Sequence, residues 1–157
     1  VQVRLDLYAN KLFYNHNNTV YEFITDINEV EIFLSHPSDT NNTMLLKKGF
    51  NINDVVTPLK YVQVLAEGKI TFLKYLYKSL DETTAYNVPG KIKTFNNRSN
   101  FFYLKDGKNF SQKPASKILE ELAGDKWAQV EAYMKQNSLN AKNEDDFARL
   151  INYYNSL

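Results

Sequence analysis

The chain has 157 residues, of which 43% are hydrophobic, 24% are charged and 14% are aromatic. A chain of this length buries roughly 70% of its unfolded surface, which is enough for one core without a metal or disulfide staple. Cysteine is absent, which excludes thiolate metal sites, iron–sulfur clusters, disulfide frameworks and cysteine nucleophiles. We therefore expect a single domain over residues 1–157, with no cofactor.

The formal net charge of +1 is unevenly distributed along the chain. Residues 86–117 carry seven basic groups and one acidic group, whereas residues 1–57 and 118–157 each have a net charge of −3. The sequence pI of about 8.0 is below the value of roughly 9 that is typical of nucleic-acid-binding domains, so nucleic acid is not a favoured partner. The basic stretch is expected to be a solvated face or to contact an acidic partner.

The first third of the chain predicts short strands joined by turns. Apolar and polar side chains alternate over residues 1–7, as in a strand with one buried face. The polar cluster at 15–18 contains residues that tolerate left-handed backbone, so we expect a turn there. The predicted strands are residues 1–7, 12–14, 19–25 and 27–34, and residues 36–42 are predicted to form a surface loop.

The middle third predicts hairpins. Residues 61–66 and 70–80 flank Glu67-Gly68 and are rich in β-branched and aromatic side chains, which favours a long hairpin. The second of these strands is apolar on both faces, so we expect sheet to cover one face and helices to cover the other. The remaining predictions are a short strand at 44–46, a helical turn beginning near Asn53, a loop at 88–90, a weak strand at 91–95, and a second hairpin of 101–105 and 108–111 about Asp106-Gly107.

At Pro114 the hydrophobic period changes from two to about 3.6, which predicts helices over residues 114–157. Gly124 is expected to end the first helix, Asp125 to cap the second and Asn143 to cap the third. The predicted fold class is α+β: a curved, mostly antiparallel sheet of roughly seven to nine strands, with two or three helices packed on it. Residues 1–113 would form the sheet region, and a barrel-like and a sandwich-like arrangement are both compatible with the pattern.

Several catalytic chemistries lack the residues that they need. All five glycines lie at predicted turns or caps, so no glycine cluster is available to bind a nucleotide phosphate. No serine lies in a Gly-x-Ser-x-Gly sequence, which argues against a serine triad. A metal site at His36 and Asp39 is a weak alternative, because their spacing matches no known metal signature.

Paired carboxylates are the main catalytic alternative. Glu29 and Glu31 share one face of a predicted strand, and two carboxylates a few ångströms apart are sufficient for glycoside hydrolysis. Alternation alone also explains them, as solvent-facing residues opposite Val30 and Ile32.

Two sets of side chains are candidates for binding. Tyrosines on a rigid sheet can stack on sugars, bases or a partner's side chains, although ordinary cross-strand packing also accounts for them. Lysines and arginine of the basic segment would bind an anionic polymer if they converged on one face. The tyrosines are Tyr75, Tyr77 and Tyr103, and the basic residues are Lys91, Lys93, Arg98, Lys105 and Lys108.

Four segments together resemble a group of uncharacterised exported proteins of Bacteroidetes-type bacteria. The resemblance covers most of the chain and implies a signal peptide before Val1 and a periplasmic or cell-envelope location, but it carries no catalytic residue across. The segments are Val-Arg-Leu-Asp-Leu-Tyr at 3–8, Lys-Lys-Gly-Phe at 47–50, Val-Leu-Ala-Glu-Gly-Lys at 64–69 and Asn-Tyr-Tyr-Asn-Ser-Leu at 152–157.

The chain begins inside an alternating pattern, which suggests that a leader, and part of the first sheet, has been removed. If residues before Val1 once paired with the first strand, that strand has an open edge, and open edges recruit other strands. We therefore expect a non-catalytic module that binds an unknown protein or ligand through a sheet edge, loops or a tyrosine-rich surface, with self-association through the edge.

Overall fold

The computed structural model describes residues 2–34, 42–84, 86 and 89–157. The fold is α+β, with two antiparallel sheets of three and six strands, neither of them closed, and with helices packed on the larger sheet. The predicted fold class is confirmed, and a barrel-like closure is wrong. The strands are β1 (Gln2–Asp6), β2 (Lys11–His16), β3 (Thr19–Glu22), β4 (Glu29–Phe33), β5 (Thr43–Lys47), β6 (Val62–Ala66), β7 (Ile70–Thr83), β8 (Ile92–Lys105) and β9 (Lys108–Ser111), and the α-helices are α1 (Ser116–Ala123), α2 (Trp127–Gln136) and α3 (Glu144–Ser156).

The larger sheet follows the order of the chain from β4 to β9, and every neighbouring pair is antiparallel. The helices cover one face of β7 and β8, which we call the helix face. Phe72 and Tyr103 are opposite each other in register, stack with ring centroids 5.0 Å apart, and contact Phe147 of α3. All three rings are fully buried, so this aromatic group forms the centre of the main core.

The opposite face of β7 is covered by a loop, not by sheet as the sequence suggested. Leu73 and Tyr75 pack there in a second core with Val56 and with Phe50 and Ile52 of the segment between β5 and β6. The predicted helical turn near Asn53 is wrong. The Asn53 side chain instead accepts hydrogen bonds from the backbone N–H groups of residues 55 and 56, which fixes a compact turn.

The three-stranded sheet covers the other end of the helix face, over β4 and β5. Leu12 and Leu46 are buried between the two sheets. The Asn10 side chain, which is 6% exposed, accepts a bond of 2.7 Å from the Tyr61 N–H and donates one of 3.1 Å to the Tyr61 carbonyl. These two bonds tie the turn after β1 to the start of β6.

One predicted turn and one predicted cap differ from the structure. His16 belongs to β2, so the turn into β3 is made by Asn17 and Asn18 alone, both with positive φ. Gly124 ends α1 as predicted, with φ +56°. The chain then continues through a 3₁₀ turn into α2, for which Asp125 provides no cap. The Asn143 prediction is confirmed, because its side chain accepts the N–H of Asp146 at the start of α3.

The largest difference from the predicted elements lies in β8. Residues 91–95 and 101–105 were expected to form separate strands, but Ile92–Lys105 is one strand of 14 residues. It pairs with β7 without a break from Ile70↔Lys105 to Thr83↔Ile92. The polar residues between the two apolar groups are held in the strand by this ladder, a long-range constraint that local composition does not reveal.

Candidate functional site at the projecting arm

The β7–β8 hairpin extends well beyond the rest of the sheet. β6 pairs with β7 only as far as Lys74, and β9 pairs with β8 only from Phe102 onward. We call residues 70–75 and 101–105 the base of the hairpin, and residues 76–83 and 92–100 the arm. At about 3.3 Å per residue the arm is roughly 25 Å long.

The two edges of the arm differ. On the β7 edge, the backbone N–H of Lys78 donates a 3.0 Å hydrogen bond to the Leu7 carbonyl, so the turn after β1 covers part of that edge. On the β8 edge, no strand of the described residues pairs with residues 92–101. The β8 edge therefore has the longer free stretch, and we call it the open edge.

The Lys78 bond also determines which β8 groups point outward. Because Lys78 directs its N–H away from β8, the odd-numbered residues of β7 bond to β8, and their register partners are the even-numbered residues of β8. The odd-numbered residues of β8 consequently direct their N–H and C=O groups to the open edge. Lys105 fits this assignment, since it is opposite Lys108 beside the turn into β9. The outward residues of the arm are Lys93, Phe95, Asn97 and Ser99.

Apolar side chains remain exposed along this edge. Phe95 is 51% exposed, and Tyr8 packs edge-on against it with ring centroids 5.2 Å apart. A groove of about 430 Å³ runs beside them and is lined also by Asp6, Lys78 and Asn97. The arm thus combines unpaired backbone groups with an apolar side chain, the two features that pair strands from different chains.

The Asp6 side chain organises the turn beside this groove. One of its oxygens accepts the backbone N–H groups of Tyr8 at 2.8 Å and Ala9 at 2.9 Å. The bond from Ala9 is the main cause that lowers the pKa of Asp6, and the bond from Tyr8 and the charge of Lys78 add to it. The carboxylate therefore stays ionised and holds Tyr8 against Phe95.

The charges of the arm are largely paired within it. Lys91 and Lys93 contact Glu82 at 2.9 and 3.6 Å, and Arg98 lies 4.0 Å from Asp81. All these side chains are at least one-third exposed, so the pairs contribute little stability but cancel most of the local field.

The predicted tyrosine surface does not form. Tyr103 is fully buried under the helices, and Tyr75 is only 5% exposed, so the expectation that they face a partner is wrong. Burial raises the pKa of both hydroxyls. Tyr77, which is half-buried, stacks on Tyr75 with centroids 5.4 Å apart.

The basic residues do not converge on one face. Arg98 is the register partner of Tyr77, and both side chains lie on the face opposite to the helix face. Lys93 and Lys105 lie on the helix face. Lys93 and Lys105 are roughly 40 Å apart along the strand. The Lys105 ammonium donates a 2.7 Å hydrogen bond to the Leu122 carbonyl. Lys108 is exposed at the start of β9.

The paired carboxylates lie elsewhere, on β4. Glu29 and Glu31 are both exposed on the face opposite to the helix face, and Lys47 bridges Glu29 at 3.2 Å and Glu67 at 2.7 Å. The bond to Glu67, followed by that to Glu29, raises the pKa of Lys47. Neither Glu29 nor Glu31 lines the groove beside Phe95 or the groove between the two sheets.

A second groove, of about 420 Å³, lies between the two sheets. The Lys48 ammonium lies 4.5 Å from the centroid of the Tyr61 ring and 2.8 Å from Asp26. Ile24 and Leu59 line the groove and are 97% and 77% exposed. The Lys48 ammonium in this groove is already paired with Asp26. The residues that line the groove include no cluster of catalytic groups.

His36 and Asp39 lie outside the described residues. Within the part of the chain that is described, no group of three or more histidines and carboxylates is arranged to hold a metal ion. In the same part, none of the helices is long and apolar enough to cross a membrane.

Comparison of the chain with protein-family models, with curated proteins and with solved structures found no match. The site is thus defined by its geometry alone. Sequence reasoning missed Tyr8, Phe95 and Asn97 as candidates. The one available signal was Phe95, the only aromatic residue in the mostly polar stretch 91–99.

Proposed function

We propose that this protein is a non-catalytic interaction module that captures an extended segment of a partner along the open edge of β8. The observation that carries the proposal is the row of outward N–H and C=O groups from Lys93 to Ser99, which has no pairing strand among the described residues. Adding a strand to such an edge satisfies these groups, and alternate side chains then give specificity.

The shape of the arm supports the same proposal. A two-stranded ribbon is only marginally stable by itself, so 17 residues of exposed ribbon are costly unless a third strand completes them. Phe95 and Ile92, both about half exposed, would be covered by that strand. Because the Leu7 contact interrupts the β7 edge, the β8 edge offers the longer free stretch for it.

From the sequence resemblance alone, we also propose export to the periplasm or cell envelope of a bacterium. Fractionation of the producing cells, with the chain detected by an antibody, tests the location. Recovery of the full-length protein only with the cytoplasm would contradict it.

A proline at an outward position tests the edge directly. Asn97→Pro removes an outward N–H but no bond to β7, so the hairpin tolerates it, as edge strands tolerate proline. Asn97→Ala is the matched control, because it removes the same side chain and keeps the N–H. A photo-crosslinking residue at position 95, in cells that produce the protein, reports the partner.

We expect discrete adducts at position 95 that persist with Asn97→Ala and disappear with Asn97→Pro. The same crosslinker at Gln129, exposed on α2, is the control for random collisions. Adducts that do not respond to Asn97→Pro, or equal yields at the two positions, would show that the β8 edge is not the binding surface.

A further inference from the structure

The proposed function leaves the partner open, and the open edge itself indicates one. Every second residue of β8 directs its N–H and C=O groups to this edge. The same strand of a second copy, running antiparallel, can therefore pair its own outward groups with them. We propose that the segment captured by β8 is β8 of a second copy of this chain, related by a two-fold axis at Phe95. The two six-stranded sheets then become one continuous sheet.

The side chains are compatible with this register. Phe95 is opposite Phe95 of the second copy, and Lys93 is opposite Asn97 of the second copy. On the other face Thr94 is opposite Asn96, and Ile92 is opposite Arg98. No two like charges are directly opposite, and an aromatic pair, flanked by the two Tyr8 rings, occupies the axis.

A register with its axis at Asn97 is unfavourable. It places Lys93 opposite Phe101 of the second copy, and the Lys74 ammonium already lies 5.5 Å from the centroid of that ring. Lys113, Lys142 and Glu144 line the groove beside Phe101, and Glu144 binds Lys74 at 2.6 Å. Lys93 would therefore join three lysines that share one carboxylate, where the chain after β9 approaches the edge.

Charge does not prevent the approach of the two arms. Glu82 contacts both Lys91 and Lys93, and Asp81 lies beside Arg98, so each arm carries acidic groups next to its basic ones. Pairing of residues 93, 95 and 97 with 97, 95 and 93 of the second copy forms about six backbone hydrogen bonds. Pairing also covers Phe95 and Ile92, which are the largest apolar groups exposed on β8.

The experiment measures the mass of the purified full chain by analytical ultracentrifugation over a concentration series. We expect a monomer–dimer equilibrium for the wild type and for Asn97→Ala, and a dissociation constant about tenfold higher or more for Asn97→Pro. Circular dichroism of the two variants checks that both are folded. A dimer that Asn97→Pro leaves intact would place the contact elsewhere, for example at β1, and would overturn the inference.

Single cysteines report the register, because the chain has no other cysteine. With the axis at Phe95, the two Cα atoms at position 95 are about 5.5 Å apart. Phe95→Cys therefore places its two thiols within the range of a disulfide. Ser99→Cys is the control, since its two copies are roughly 25 Å apart. Cross-linking that is faster at position 99 or in Asn97→Cys than at position 95 would contradict the register.

The outcomes separate this inference from the proposed function. A wild type that stays monomeric at all concentrations, with position-95 adducts that still depend on the Asn97 N–H, overturns the second copy and leaves edge capture of another protein. A monomeric wild type without such adducts overturns both.

Discussion

The base and the arm of the β7–β8 hairpin share one continuous register but differ in what covers them. At the base, Phe72 and Tyr103 are fully buried under the helices, and Leu73 is fully buried under the loop on the other face. In the arm, no side chain from 92 to 100 is buried, and Leu7 and Tyr8 of the turn after β1 contact the ribbon. The pairing of strands therefore extends well beyond the core that stabilises it.

This difference separates stability from interaction. Burial of aromatic and aliphatic groups at the base supplies most of the folding free energy, because apolar area removed from water is the main favourable contribution. The arm contributes little to folding and retains unpaired backbone groups. Substitutions at the base should therefore unfold the protein, and substitutions in the arm should change only its contacts with partners.

The largest expected effect comes from a pair of matched truncations. Phe72→Ala removes a fully buried ring that contacts Phe101, Tyr103 and Phe147, and should lower the free energy of unfolding by about 3–5 kcal/mol. Phe95→Ala, in the half-exposed arm, should lower it by less than about 1 kcal/mol. Urea unfolding followed by circular dichroism measures both, and equal losses would refute the distinction between base and arm.

The next prediction tests how α3 holds the first residue of β7 in the base. The Asn155 side chain accepts the Ile70 N–H and donates to the Ile70 carbonyl, both at 2.8 Å. Asn155→Ala leaves these backbone groups without their partners and should cost about 1–3 kcal/mol. A Cβ at Gly68 would lie 2.7 Å from the Asn155 amide, so Gly68→Ala should displace the same side chain.

The two changes should therefore not be additive. We expect the double variant to lose clearly less stability than the sum of the single variants, as found for residues that share one interaction. Asn152→Ala, exposed on the same helix, is the control and should be nearly neutral. Additive losses in the double variant would mean that Gly68 and Asn155 act independently.

The sequence predicted the base better than the arm, for a physical reason. Apolar alternation at Ile70 and Phe72, and the helical stripe that includes Phe147 and Leu150, follow from local periodicity, and both are confirmed. The continuity of β8 depends on its pairing with β7 at positions such as Tyr77↔Arg98, far apart along the chain. Polar side chains there neither favour a strand nor forbid one.

The site residues show the same limit. The sequence identified Tyr103 as a tyrosine on a strand, but only the position of α3 shows that it is buried. The arm was missed because an open edge is a property of the strand order, which leaves no residue signature beyond Phe95 within a mostly polar run. Glu29 and Glu31 were correctly predicted to share one face.

A smaller effect concerns the Tyr103 hydroxyl at the base. It is buried and has no hydrogen-bond partner among the described residues, so Tyr103→Phe should raise the free energy of unfolding by about 1 kcal/mol. Burial raises the pKa of Tyr103 above its usual 10.0, so its neutral form favours the folded state. That contribution is complete below pH 10 and is lost as the pH rises toward the higher folded-state value.

Urea unfolding of the wild type and Tyr103→Phe between pH 8 and pH 11 measures this difference. We expect the wild type to lose more stability than the variant above about pH 10. Tyr77→Phe, at a half-buried position in the arm, is the control. A destabilised Tyr103→Phe would show that the hydroxyl is hydrogen-bonded, and parallel pH profiles would show that folding does not raise its pKa.

The smallest expected loss of stability comes from a substitution in the turn after β1, which contacts the arm. Asp6→Asn weakens the acceptor for the Tyr8 and Ala9 N–H groups and should cost about 0.3 kcal/mol at neutral pH, after discounting for solvent screening. The pKa of Asp6 is lowered in the folded state, so its contribution is present above about pH 4 and is lost as the pH falls below that value. Wild type and variant should therefore converge in stability toward pH 3.

Amide hydrogen exchange at Lys78, whose N–H bonds to Leu7, should be faster in Asp6→Asn, while exchange at Phe72 in the base is unchanged. Equal acceleration at both positions would mean that the arm and the base unfold together, and that the hairpin is one cooperative unit despite its uneven covering.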